Sequence, residues 1–131
     1  MAIRFAYLFA VAACFSCAPP STTSGSRHSD VITREEILAS KAMNAFDVVS
    51  LLRPSFLRSR GQTTINGTDT GYAKVYLDRQ LFGDIASLRQ LQVGNIREIR
   101  YYSAPDATMR FGLGNTSGAI EVVTAAAPDR G

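Results

Sequence analysis

Residues 96–102, Ile-Arg-Glu-Ile-Arg-Tyr-Tyr, decide the fold. Ile99 and Tyr101 fall on one side and Glu98 and Arg100 on the other, the period-two alternation of a half-buried strand. On its N-terminal side Gly94-Asn95 breaks a short helix that Asp84 can cap and whose buried side carries Ile85, Leu88 and Leu91. Further upstream Ala73, Val75 and Leu77 alternate with Lys74 and Tyr76 as another strand, and Asp78 to Gln80 turns the chain. On the C-terminal side Ser103 and Asp106 can cap one helical turn that tolerates Pro105 and ends at Gly112. Gly112, Gly114 and Gly118 bracket a loop. Ala119 to Thr124 is the last strand, with Ile120, Val122 and Thr124 alternating against Glu121 and Val123.

Helices precede these strands. Thr33-Arg34-Glu35-Glu36 is a capping box, in which the Thr33 hydroxyl accepts from the Glu36 amide and Glu36 reaches back to the amide of Thr33. Behind it Leu38, Ala42, Ala45, Val49 and Leu52 share a helical face, and Pro54 closes the run. Asn44, with Asp47 three positions on, is a good N-cap, so the run reads either as one helix or as two short ones meeting near Met43. The expected core is Leu38, Val49, Leu52, Val75, Leu77, Leu88, Ile99, Ile120 and Val122. Gln62 to Gly71, rich in Thr, Gly, Asn and Asp, reads as an exposed loop. The fold class that follows is α+β, a small mixed sheet with short helices.

The chain has 131 residues, of which 46% are hydrophobic and 19% charged, and a net charge of +3. That suits one packed domain, and the charge is too small to demand a polyanion. Its two ends differ in kind. Arg4 followed by the apolar run Phe5 to Phe15 and by Ser16, Cys17 and Ala18 has the layout of a bacterial export signal, about half as long as a bilayer-spanning helix needs. Both cysteines, Cys14 and Cys17, lie there, which excludes a disulfide framework or thiolate metal site for the rest. Val11-Ala12-Ala13-Cys14 resembles a lipoprotein lipobox and is the better match. Cleavage before Cys17 gives a more usual signal length but puts bulky Phe15 inside the box, and plain secretion with cleavage after Ala18 is the alternative. The organisation expected is a signal and lipobox region at 1–17, a Pro- and Ser-rich flexible tether at 18–30 and one domain at 31–131.

Chemistry is sparse in this sequence. The lone histidine, His28, sits in the tether without a second ligand or triad partner. The glycines from Gly112 to Gly118 have the wrong spacing for a dinucleotide loop and lead into a strand, and no P-loop, zincin motif or nucleophile elbow occurs. Asp78, Asp84, Glu98 and Asp106 each have a local capping, turn or solvated-face explanation. The expectation is a chain that is no enzyme and takes no cofactor or metal. Arg53, Arg58 and Arg60 form the candidate binding surface, with Arg97, Arg100 and Arg110 and the rings of Phe56, Tyr101 and Tyr102 elsewhere. Arginine grips carboxylate and phosphate bidentately and stacks on aromatics, whereas the competing explanation is a solvated face ion-paired to Asp47, Glu98 and Asp106.

Taken together, Val75-Tyr76-Leu77-Asp78, Leu88 to Leu91, Ile96-Arg97-Glu98-Ile99, Ala104-Pro105-Asp106-Ala107, Arg110-Phe111-Gly112 and Gly118-Ala119-Ile120-Glu121-Val122 closely resemble the plug domain of TonB-dependent outer-membrane receptors. The similarity runs from Val31 to Thr124 and implies a plug-like α+β domain. Two departures accompany it. Such receptors carry a barrel of about 22 strands, for which the residues after Thr124 leave no room. The family also has Asp-Gly where this chain has Asp78-Arg79, which puts a turn needing glycine in doubt. The TonB-contacting box is hinted at only by Asp30-Val31-Ile32-Thr33, which the capping box explains equally well. The expected function is a lipid-anchored docking module at the periplasmic face of the outer membrane. Its expected partners are membrane lipid through acylation, and an envelope protein or anionic headgroups, without nucleic acid. The alternative is a small periplasmic solute-binding protein or enzyme.

Overall fold

The computed structural model describes residues 30–61 and 70–126. The signal and lipobox region, the tether as far as Ser29 and most of the Gln62 to Gly71 loop lie outside the described residues. Five strands form one mixed sheet in the order β1-β4-β5-β2-β3. They are β1 (Val31–Ile32), β2 (Lys74–Leu77), β3 (Gln80–Gly83), β4 (Ile96–Tyr102) and β5 (Ala119–Thr124). The α-helices are α1 (Arg34–Ala39), α2 (Ala45–Leu52) and α3 (Ala104–Phe111). The expected small α+β fold with a mixed sheet is the one observed.

β5 sits at the centre, parallel to β2 and antiparallel to β4. One face of the sheet carries Ile32, Val75, Ile99, Tyr101, Ile120 and Val122, packed against Ile37, Val48, Val49, Phe56 and Leu88. Burial of each large aliphatic there contributes about 1.5–3 kcal/mol. The other face holds a smaller cluster, Tyr76 and Ala119 under Ala107, with Tyr102 and Phe111 against it. α3 thus covers the side that alternation alone assigns to polar residues. This is why Tyr76 and Glu121 are buried.

The helical segments start where their caps place them. Thr33 and Glu36 form both halves of the capping box on α1, and Asn44 accepts from the Asp47 amide at the start of α2. These are two short helices, because Lys41 between them takes a left-handed φ of 54°. The break resets the helical phase, so Ile37 is buried and Leu38 is 56% exposed, a correction to the expected core. Leu52 and Leu77 are only half-buried, packed at the rim of the main cluster. α2 ends before Pro54, which opens a 3-10 turn over Pro54–Leu57. Asp84 caps the segment Ile85–Gln90, which is also 3-10 rather than α. The turn expected after Ser103 lengthens into an eight-residue helix, α3, closed by Gly112 at φ 90°.

Two strands are additional to the sequence reading. β1 pairs with β4 through Val31 opposite Arg100 and Ile32 opposite Ile99. β3 pairs with β2 across a two-residue turn, Asp78-Arg79, whose φ values are 47° and 75°. The turn forms without glycine because Asp78 is anchored: its Oδ1 accepts from the Thr124 amide at 2.8 Å and its Oδ2 from the Thr124 hydroxyl at 2.7 Å. Arg34 fastens α1 to the 3-10 turn Val93–Asn95 and the start of β4 by donating to the carbonyls of Val93, Gly94 and Ile96.

Candidate functional site

The three candidate arginines separate at Pro54. Arg53, at the end of α2, turns inward: its Nη2 lies 3.0 Å from Glu36 Oε1 and its side chain is 11% exposed. It ties α2 to α1. Beyond the 3-10 turn the chain runs extended, and Arg58 and Arg60 are both exposed. Neither pairs with an acid among the described residues.

The backbone beneath Arg58 and Arg60 is clamped. The Arg60 amide donates to the Gly71 carbonyl at 2.8 Å, and Ser59 Oγ donates to the same oxygen at 3.4 Å. Gly71 has a φ of 74°, and a Cβ there would lie 2.8 Å from Ser59 Oγ and 2.9 Å from the Gly61 carbonyl carbon and oxygen. Only a glycine permits so close an approach. The Arg60 guanidinium rests 5.0 Å above the ring centroid of Tyr101, a cation–π contact. Phe56 stacks against the same ring with centroids 4.9 Å apart. The Tyr101 amide donates to the Asp30 carbonyl at 2.7 Å, so Arg60, over the Tyr101 ring, sits near where the chain first joins the sheet. Burial pushes the Tyr101 hydroxyl above its usual pKa, with the nearby Arg60 charge opposing and Asp30 adding. The result is a stiff corner that offers two guanidinium groups to carboxylate or phosphate.

Arg100 and Arg110 are occupied. Arg100 forms a two-pronged contact with Glu98, at 2.9 and 3.1 Å. Arg110 serves the second face: its Nη2 is 3.2 Å from Glu121 Oε2, and its guanidinium lies over the rings of Tyr102 and Phe111. Glu121 is fully buried and also accepts from the Tyr102 hydroxyl at 2.9 Å. Burial first, and this hydrogen bond second, push the Tyr102 pKa up. Asp47 accepts from the Asn44 side-chain amide, and Asp106 from the Ser103 hydroxyl, so neither pairs with the arginines by these contacts. The sequence reading missed the Glu121 network, since alternation placed Glu121 with solvent.

Cys14 and Cys17 lie outside the described residues. Among the described residues no three His, Cys, Asp or Glu side chains converge to hold a metal ion. A cleft of about 450 Å³ opens between Phe46, Leu57, Tyr72 and Ile85, with Asp84 and Arg89 on its wall. A shallower one of about 490 Å³ lies between β1, β4 and α3, where Arg100 and Arg110 face Asp30 and Asp106. β3 forms an outer edge on which Leu81 is 61% and Phe82 38% exposed. No family model, no curated protein and no solved structure matches the chain.

Proposed function

We propose that the chain is a non-enzymatic, lipid-anchored protein of the bacterial envelope whose plug-like domain docks at the periplasmic face of the outer membrane. The observation that carries this reading is the corner at Arg58 and Arg60: two exposed arginines with no acid partner among the described residues, on clamped backbone, with Arg60 over the ring of Tyr101. Acylation at Cys14 or Cys17 would anchor the domain through the residues up to Asp30, which reach at most about 45–55 Å when extended. The corner would then be held near phosphate-bearing headgroups and the envelope proteins among them, where each basic side chain adds about 1 kcal/mol of attraction.

Two experiments test it. Labelled palmitate should enter the wild-type chain and fail to enter Cys14→Ser with Cys17→Ser; label surviving in that double variant removes the anchor. Arg58→Ala with Arg60→Ala should weaken recovery with outer-membrane material and reduce its salt sensitivity while leaving the fold intact. Unchanged recovery would move the docking surface to the sheet edges. The second reading, a small periplasmic solute-binding protein or enzyme, is favoured by the cleft at Phe46 and Arg89, whose volume of about 450 Å³ is that of a small-molecule pocket.

A further inference from the structure

We propose that β3 is a homodimerisation edge, through which two copies pair antiparallel about a two-fold axis between Leu81 and Phe82. β3 is the last strand of its side of the sheet, with no strand beyond it among the described residues. Its four residues, Gln80-Leu81-Phe82-Gly83, include no charge and no proline, the devices that usually protect an edge. The register with β2 passes from Gly83 opposite Val75 to Leu81 opposite Tyr76, so Phe82 is the extra residue of a bulge. Bulges re-aim side chains, and here two large apolar groups on consecutive residues remain exposed.

The ends of the strand identify the occupant. Arg79 keeps a left-handed φ of 75° at a turn position where glycine would be relaxed, and its exposed guanidinium has no acid partner among the described residues. Strain retained at an exposed residue points to a use for its side chain. At the other end Asp84 is exposed, with Oδ1 accepting from the Ser87 amide and no cationic partner among the described residues. Antiparallel pairing about the stated axis brings Arg79 of one copy opposite Asp84 of the other, twice, with Leu81 against Phe82 between them. The strand is therefore complementary to itself in charge and in apolar surface. The opposite edge, β1, is two residues long and gives way at once to the capping box of α1, so pairing at β3 closes as a dimer and does not propagate.

The test uses the full chain carrying Cys14→Ser and Cys17→Ser, followed by sedimentation velocity from micromolar to millimolar loading. The expected result is a concentration-dependent monomer–dimer equilibrium that Leu81→Lys with Phe82→Lys abolishes. Arg79→Gly, which relaxes the turn, should weaken association about three- to tenfold without lowering the melting temperature. In the same background Leu81→Cys should form an intermolecular disulfide under mild oxidation, whereas Leu38→Cys, at a site 56% exposed, should not. A chain that stays monomeric at every loading overturns the proposal, as does equal cross-linking at the two positions or association that survives the two lysines.

Discussion

Replacing Gly71 by alanine probes the clamp that stiffens the arginine corner. Two costs can be read separately. The first is conformational: φ at Gly71 is 74°, and alanine in the left-handed region costs about 1–2 kcal/mol. The second is steric. The new Cβ would lie 2.8 Å from Ser59 Oγ, which can rotate away, and 2.9 Å from the carbonyl carbon and oxygen of Gly61, which cannot. Relief requires residues 60 and 61 to retreat, breaking the 2.8 Å bond from the Arg60 amide to the Gly71 carbonyl, a loss of about 1 kcal/mol. The expected total is about 2–3 kcal/mol, read from the urea midpoint at unchanged slope. Gly112→Ala supplies the control, since its φ is 90° but no atom lies within 4 Å of the added Cβ. Its backbone, with ψ at −173°, lies in an extended region that essentially only glycine adopts, so it should show a conformational cost of about 1–3 kcal/mol alone. A loss at Gly71 no larger than the conformational cost of about 1 kcal/mol would refute the clamp.

Three further outcomes follow from the packing. Glu121→Leu or Arg110→Leu alone should cost about 2–4 kcal/mol, because each strands a charge beside the second face, while the double variant should return close to wild type; additive losses in denaturant would contradict this. Ile37→Ala should cost about 2–5 kcal/mol and Leu38→Ala less than about 0.5 kcal/mol, and the reverse order in thermal melts would reverse the helix face. Tyr101 and Tyr102 have raised pKa values, so the fold favours their neutral forms. Their contribution is complete below about pH 10 and is lost as pH climbs through the raised values; Tyr102→Phe should melt less steeply in alkali than wild type, and an identical alkaline profile would oppose the assignment.

The elements legible in the sequence are those whose signals are local. The capping box at Thr33, the N-cap at Asn44 and the alternation of Ile99 and Tyr101 need only their neighbours, and all three appear as read. The features that escaped depend on contacts distant in the chain. Glu121 alternates like a solvent-facing residue, yet β5 is central and α3 covers its second face. β1 has two residues and exists only because β4 pairs with it. β3 was hidden because Asp78-Arg79 lacks the glycine that marks a hairpin, and the anchor at Thr124 lies 46 residues away. Leu38 was misplaced because helical phase was carried across Lys41, where the backbone breaks it. Of the arginines, sequence proximity grouped Arg53 with Arg58 and Arg60, but Glu36 draws Arg53 inside.

Flotation with defined vesicles tests most directly whether the corner at Arg58 and Arg60 meets an anionic membrane surface, as proposed. The probe is the full chain with Cys14→Ser and Cys17→Ser, so that acyl chains contribute nothing, mixed with vesicles containing phosphatidylglycerol or with phosphatidylcholine alone. The chain should float with the anionic vesicles, detach as salt rises, and lose that preference when Arg58→Ala and Arg60→Ala are added. Equal flotation with both vesicle types, or an undiminished preference in the arginine double variant, would contradict the claim.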